Sequence, residues 1–498
     1  MRSEEYHVRL EKLGKLRELG VNPFPYRYER THTIEELKGN FSEGLRVRVA
    51  GRVMTKRPFG KMIFSDIEGE RDKIQILVKF GDTPEDFFDG LDVEKYGNKN
   101  PAKIYEKLVD LGDIIGVEGE TFYTKTGEPT VLVKRLTLLV KSLHPLPEKW
   151  HGLQDPETIY RYRFIHLISS RESRELFRKR FLFLRETRKF FEERGFIEIE
   201  TPILQTVYGG ATARPFKTYS NALDTELYLR IATEISLKKL IVGGYERVYE
   251  IGKNFRNEGI DATHYPEFTA LEAYAAYWDY NDVMELVEEY FYNMVVLLNG
   301  ENYFEYKGEK IRVERPFRRI RFVDSLNEVL GIDILKAKTE ELLKIAERAG
   351  IKIKNPTRAK LYDKLFDHFV ADKIKEPTFV IDHPLELTPL AKTHRENKSL
   401  VERFELFVCG MEIANAFSEL NDPIEQRRRL EKEVELRKIA KDEELPEEID
   451  EDFILALEYG MPPTGGLGLG LDRIFMILTK SQNIRDVIPL PILRPKGE

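Results

Sequence analysis

Residues 245–274, YERVYEIGKNFRNEGIDATHYPEFTALEAY, constrain the fold of this chain more than any other stretch. Tyr245 to Ile251 alternates aromatic, β-branched and charged residues, 257–266 is rich in turn formers, and 267–274 alternates again. That pattern predicts two antiparallel strands joined by a charged loop. Strand side chains point to opposite faces in turn, so Phe268, Ala270, Glu272 and Tyr274 share one face. Thr269, Leu271 and Ala273 share the other, a more ordinary packing set. A phenyl ring, a carboxylate and a phenol facing a strand that carries Arg256 make an odd core and a reasonable pocket. A solvated charged hairpin is the plain alternative.

Composition sets broader limits. A chain of 498 residues should hold two or more domains, each with its own core. Hydrophobic residues make up 41% and no run approaches a membrane span, which predicts a soluble globular protein. The opening MRSEEYHVRLEKLGKLRELG mixes acidic, basic and apolar side chains, unlike a signal or transit peptide. One cysteine excludes an internal disulfide, and a reducing cytoplasm is the expected setting. A formal charge of −7 does not exclude nucleic acid, because binding depends on where positive charge clusters.

Residues 2–20 predict a helix with Tyr6, Leu10, Leu13 and Leu16 near one stripe and Gly20 as its stop. Arg2, Arg9, Lys12, Lys15 and Arg17 fall on the other faces, either solvated or holding RNA phosphates. From Leu45 onward, short alternating runs with glycine-marked turns predict about five strands of a small OB-type barrel. Such barrels bind single strands by stacking bases on aromatics within a basic groove. Arg52, Lys56, Arg57, Lys61 and Phe64 offer that mixture, although a structural barrel would also carry scattered phenylalanines. Residues 81–111 receive no role. Prolines and the loss of alternation mark a boundary near Pro147, so the expected domains are 1–147 and 148–498.

In the second domain, RESRELFRKRFLFLRETRKFFEERGFIEIETPIL reads as a long helix stopped by Gly195, then a strand ending at Pro202. Tyr208 to Ala211 is a tight glycine turn suited to close approach by a ligand. Glu234 stands near a helix start, where it is equally a simple N-terminal charge. A helix with an exposed acidic face follows Tyr274, and 316–375 mixes helices and connections as an insertion that caps or flanks the site. Glu405, Glu412 and Glu419 recur across two strand-like runs separated by Cys409-Gly410. A two-residue turn there places Glu405 and Glu412 on one face, and two nearby carboxylates suit magnesium. Strict alternation places Asn415, Phe417 and Glu419 on the face opposite Glu412. A single site containing all five therefore needs a bulge, or the strand's end, near Asn415. GLGLGLDR is a glycine run entering a helix and is not by itself a dinucleotide fingerprint.

The string FRNEG followed by HYPEFT resembles motif 2 of the class II aminoacyl-tRNA synthetases in its lysyl form. The 171–204 stretch matches motif 1, with Pro202 as its proline, and GLGLGLDR matches motif 3. HGLQD followed by YRYR is typical of the lysyl family, and GRVMTKRPFGKMIFSDIEG with KIQILV resembles its anticodon-binding domain. The resemblance covers nearly the whole chain. It implies an α+β protein: an N-terminal OB-fold β-barrel, then a class II catalytic domain of antiparallel β-sheet flanked by helices.

The activity implied is ATP-dependent ligation of L-lysine to tRNA(Lys), through lysyl-adenylate with release of pyrophosphate, by a homodimer using Mg2+. On the same match, Arg256 neutralises the α-phosphate and meets the amino acid's carboxylate, and Arg473 holds the γ-phosphate. Phe268 stacks on adenine, Glu258 and His264 touch the nucleotide, and Glu405 and Glu412 hold magnesium; His264 could equally be an exposed loop histidine. Glu234 and the Gly210 backbone take the α-amino group. Glu272, Tyr274 and Glu419 take the ε-ammonium, Asn415 orients the carboxylate and Phe417 packs on the stem. In the barrel, Phe64 stacks on the anticodon and Gln75 bonds its middle uridine.

Physics agrees with the choice of amino acid. Several carboxylates around a small site repel each other unless a cation enters, so lysine fits where aspartate does not. Lys253 and Met411 stand where the family commonly has arginine, and Thr233 where it has proline. A lysine ligase acting on a protein would resemble the catalytic half without the barrel. A non-catalytic RNA-binding paralogue would be expected to lose Arg256, Arg473 or the paired acids, and all are present.

Overall fold

The computed structural model describes residues 3–81, 83–147, 154–441 and 443–495. It divides into two compact units, Met1–Arg171 and Glu172–Glu498. Arg2 and residues 148–153 of the expected linker lie outside the described residues.

The first unit opens with helix α1 (Glu4–Glu18), capped by the Ser3 side chain on the Tyr6 N–H. Its buried stripe is Tyr6, Arg9, Leu13 and Leu16, and Leu10 is exposed, which corrects the stripe expected from sequence. Arg9 is tolerated inside because its guanidinium donates to the carbonyls of Leu111, Ser142 and His144 and pairs with Glu5. It is a structural cation and has no charge to spare for RNA.

Five strands close a barrel: β1 (Arg46–Val53), β2 (Met62–Glu68), β3 (Lys73–Lys79), β4 (Ile114–Tyr123) and β5 (Pro129–Val140). They run in the order β1-β4-β5-β3-β2, and β2 returns to pair with β1 at Val53 and Ile67. Alternating Val and Ile side chains of β1 to β4 fill the interior. Part of the 81–111 stretch, given no role in the sequence, adds to that core. Phe87, Phe88 and the Ala102, Ile104 and Tyr105 side chains of helix α2 (Ala102–Leu108) are buried there, and the Tyr105 hydroxyl bonds Ser65 Oγ at 2.6 Å.

The second unit is built on an eight-stranded sheet. Its order is Arg318–Arg321, β8 (Thr378–Pro384), β9 (Leu400–Val408), β10 (Met411–Ser418), β11 (Thr464–Leu469), β7 (Glu267–Ala276), β6 (Arg247–Phe255) and Ile197–Glu198. The two short edge strands pair in parallel and every other neighbour is antiparallel. FIEIETP therefore contributes only two paired residues, less than its pattern predicts.

One face of the sheet is covered by α3 (Arg171–Glu192), α5 (Tyr280–Asn299) and α8 (Leu471–Leu478), with α4 (Glu234–Val242) flanking the other. Leu271 and Ala273 of β7 pack under Phe183, Phe191 and Tyr290. Each large apolar side chain buried in that layer contributes roughly 1.5–3 kcal/mol. The acidic face expected on α5 holds for Asp282 and Glu285, but Glu288 is buried against the Phe317 N–H. Helices α6 (Thr339–Arg348) and α7 (Arg358–Phe369) form a second core, which includes Val380 of β8 and Phe407 of β9. Among the described residues, no helix is long and apolar enough to cross a membrane.

Candidate active site

The open face of the sheet forms the floor of a cavity of about 780 Å³. Along β7, Phe268, Ala270, Glu272 and Tyr274 line it and Leu271 and Ala273 face the core, as the sequence predicts, while Thr269, expected on the packing face, also borders the cavity. Strand β6 runs further than expected, to Phe255, which seats Arg256 at its mouth beside Phe268. The Arg256 guanidinium lies 5.1 Å from the centre of the Phe268 ring. Burial lowers its pKa, against the pull of Glu258 and Glu412, and Nε is buried without a hydrogen-bond partner among the described residues.

The β9–β10 hairpin settles the parity problem. Cys409 and Gly410 both have positive φ, 52° and 76°, as a two-residue hairpin turn demands. Val408 pairs with Met411 and Phe407 with Glu412, but Leu406 pairs with Ala414 and Glu405 with Asn415. One extra residue, Ile413, thus interrupts β10 two positions before the point anticipated. A one-residue insertion exchanges the faces of everything beyond it. Glu405, Glu412, Asn415, Phe417 and Glu419 consequently all line the cavity.

The inner end of the cavity is a closed carboxylate cage. Glu272 accepts from the Thr233 N–H at 2.9 Å and Asn254 Nδ2 at 3.2 Å on one oxygen, and from Tyr274 OH at 3.4 Å on the other. Glu234 opens α4, where Gly210 (φ 87°) lies against it: a Cβ there would sit 3.0 Å from those of Ala232 and Glu234. Glu419 follows β10 and is 1% exposed. A Cβ on Gly466 of β11 would overlap the Glu419 carboxylate and the Tyr274 ring, so this glycine makes room for the acid. Burial pushes all three carboxyl pKa values up, Glu419 well above its usual range. Glu419 Oε1 has no hydrogen-bond partner among the described residues. Such a cage wants a cation.

One cation is already there, and sequence reasoning missed it. Lys238 of α4 is fully buried, with Nζ 2.5 Å from Glu234 Oε1 and in an ion pair with Glu419 Oε2. The i,i+4 spacing from Glu234 was the available signal. Burial opposes its charge, yet Glu234 and Glu419 more than offset this, and its pKa is raised.

The outer end is more open and is built of cations and loop residues. Arg473, in the first turn of α8, donates to the Glu412 carbonyl at 2.9 Å and to Glu412 Oε2 at 3.1 Å. Its other nitrogens meet the Thr263 carbonyl and His264 Nε2, at 3.3 and 3.0 Å. With Nε2 accepting from Arg473, His264 donates through Nδ1 to Asp261 Oδ2 at 2.8 Å, so the ring is a neutral bridge assigned from its partners. Glu258 and His264 are exposed on the loop. Arg403, also unanticipated, ties this end to the inner one. It donates to Glu405 Oε1 at 2.6 Å and to Asn415 Oδ1 at 2.9 Å. The Asn415 carbonyl being engaged, its NH2 is left as the donor for the cavity.

Glu405 also meets His383 Nε2 at 3.3 Å. Although burial alone would raise its pKa, Arg403 and His383 lower it to about 2, so it is an anion at neutral pH. Among the described residues no three His, Cys, Asp or Glu side chains converge as a ready-made metal site. Two hard carboxylates, Glu405 and Glu412, share the cavity wall, a donor set that fits magnesium completed by water and phosphate oxygens. The insertion supplies the facing wall, with Lys352, Lys354, Lys360 and Asp363.

In the barrel unit, Phe64 is half-buried on β2, paired across to Arg57 and Leu77, and Gln75 lies on β3 with Oε1 accepting from Thr130 Oγ1 at 2.9 Å. The basic groove expected beside them is largely committed elsewhere. Arg52 bonds the Gly112 carbonyl, Lys56 the carbonyls of Tyr105, Glu106 and Val109, and Arg57 holds Asp66 through two nitrogens. Phe59, 69% exposed, is the more open aromatic and was not singled out by sequence.

Comparison with known proteins agrees with this layout. The class II tRNA synthetase family (D, K and N) matches residues 155–494, and an OB-fold nucleic acid binding domain matches 47–139. The chain is 46% identical to the lysine–tRNA ligase of Fervidobacterium nodosum, over 99% of this chain and 94% of that one. It is 47% identical to that of Thermotoga maritima, over 100% and 97%, and 48% identical to that of Clostridium novyi, over 98% and 94%.

Proposed function

The chain belongs to the class II tRNA synthetases (D, K and N), and within that family we infer that it is a lysine–tRNA ligase. It joins L-lysine to tRNA in an ATP-dependent reaction. The observation that carries the choice of amino acid is the cage of Glu234, Glu272 and Glu419, whose buried carboxylates lack sufficient positive charge. An aspartate side chain would add a fourth anion to it.

In this reading the substrate's α-ammonium binds Glu234 and the Gly210 carbonyl. Its ε-ammonium binds Glu272, Glu419 and Tyr274, and Phe417 packs along the methylenes. Arg256 and the Asn415 NH2 fix the lysine carboxylate so that its oxygen faces the α-phosphorus of ATP. Adenine stacks on the face of Phe268 that Arg256 leaves open, Glu258 and His264 contact the nucleotide, and Arg473 neutralises the γ-phosphate. Displacement of pyrophosphate needs positioning and charge neutralisation and no protein nucleophile. Glu405 and Glu412 would hold Mg2+, which would supply charge neutralisation on the phosphates. The tRNA 3′ end then takes the lysyl group, while Phe64 and Gln75 read the anticodon.

The setting we infer is cytoplasmic and the assembly a homodimer. Exposed Phe181, Ile197, Ile203 and Leu204 in the motif 1 region support the dimer. Charging of tRNA(Lys) by the purified protein tests the function. Lysine should become acid-precipitable with tRNA(Lys) and not with tRNA(Asp), and equal charging of both would sink the reading.

A further inference from the structure

We propose that Lys238 determines specificity as a built-in counter-cation, bridging the two ends of the amino-acid site and limiting it to substrates that bring two ammonium groups. The inference rests on the reading of the cage as the lysine site.

Charge is the first argument. Glu234, Glu272 and Glu419 supply three negative charges and Lys238 one positive, leaving two to be met. Free lysine brings two ammonium groups, and its carboxylate is met by Arg256. The sum closes at zero among groups that are almost wholly buried. Arg403, whose charge also bears on Glu234, is committed to Glu405 at 2.6 Å. Without Lys238 the cage would hold one surplus carboxylate. It would then retain a proton or admit another cation, and either competes with the intended ligand.

Geometry is the second. A surface i,i+4 pair contributes little and leaves both partners mobile. Here the pair is enclosed. Lys238 Nζ lies 5.5, 5.8 and 6.0 Å from the rings of Phe417, Phe453 and Tyr274, and its side chain is wholly buried. It contacts two carboxylates from different elements, Glu234 of α4 and Glu419 beyond β10. Those are the proposed partners of the α- and ε-ammonium groups. One ammonium tied to both fixes the separation of the two cation sites, and with it the chain length that spans them. Glu419 Oε1 has no hydrogen-bond partner among the described residues, so the bridge does not use up the acceptor that the substrate needs.

The test uses the full-length enzyme in ATP–pyrophosphate exchange with lysine and with ornithine, one methylene shorter. Lys238→Met, which keeps volume and removes charge, should raise the lysine KM by at least roughly tenfold and narrow the lysine-to-ornithine ratio of kcat/KM several-fold. The ATP KM should stay within about twofold, a split that a general loss of structure would not give. A folded Lys238→Met enzyme with lysine KM and preference both within twofold of wild type would overturn the proposal. Should that variant fail to fold, Lys238→Arg decides. A narrowed preference at unchanged thermal midpoint supports the bridge, and an unchanged preference refutes it. Glu419→Gln separates the two levels of the argument. If that change leaves the lysine KM unaltered, the cage reading itself fails and takes this inference with it. If it raises the KM while both Lys238 variants are silent, only this inference fails.

Discussion

The two ends of the cavity solve opposite problems. At the inner end Glu234, Glu272 and Glu419 are at most 8% exposed and look at one another and at Lys238. At the outer end Arg473, Glu412, Glu258 and His264 are half-buried or exposed, and the ion pair between Arg473 and Glu412 is part of a chain through His264 to Asp261. A dry site makes an unmatched charge costly, which suits discrimination between amino acids. A wetter site whose cations can exchange partners suits a polyphosphate that must arrive with its metal and leave as pyrophosphate. On the proposed reading, selectivity and chemistry are separated along a single strand, with Phe268 of β7 at one end and Tyr274 at the other.

Perturbing the two ends should therefore give different kinetic signatures. The largest effect is expected where they meet. Arg256→Ala should lower kcat for lysine-dependent ATP–pyrophosphate exchange by roughly 10³, since it removes a guanidinium aimed at charge in the transition state. A fall of less than tenfold would remove Arg256 from the chemistry. Glu419→Gln should raise the lysine KM by about 10² with ATP KM nearly unchanged, the loss of one buried charge partner. A comparable rise in ATP KM would erase the distinction between the ends.

Smaller effects sharpen the contrast. Phe64→Ala should weaken tRNA charging about tenfold, in line with one lost base stack, and spare exchange. Equal loss of both activities would make Phe64 a barrel residue, and the more exposed Phe59 the aromatic to test next. His264→Ala should raise the ATP KM only a few-fold, because the ring is an exposed, neutral bridge. A change in lysine KM instead would show that the two ends are coupled.

Much of this was legible in the sequence, for reasons that particular residues make clear. The period-two alternation of Phe268, Glu272 and Tyr274 follows from strand geometry alone, and burial of Leu271 and Ala273 on the opposite face confirms it. The need for a bulge in β10 could be deduced from parity, but not its position, since Ile413 and Ala414 are ordinary strand residues. Lys238 was concealed by its neighbourhood: in LKKL one lysine is fully buried and Lys239 is half-exposed, and only the packing of α4 on β7 distinguishes them. Arg403 shares its strand face with Glu405, a signal that was present but unused. In the barrel, sequence shows cationic residues without showing their partners. The carbonyls that engage Arg9 and Lys56 come from distant parts of the chain, so their charge looked available when it was not.

We propose that the inner cage, with its three carboxylates and one resident ammonium, selects lysine. ATP–pyrophosphate exchange measured with each of the twenty amino acids tests it most directly. Exchange with lysine at least about 10²-fold above every other amino acid is the predicted result. Exchange supported by aspartate or asparagine, and not by lysine, would contradict it.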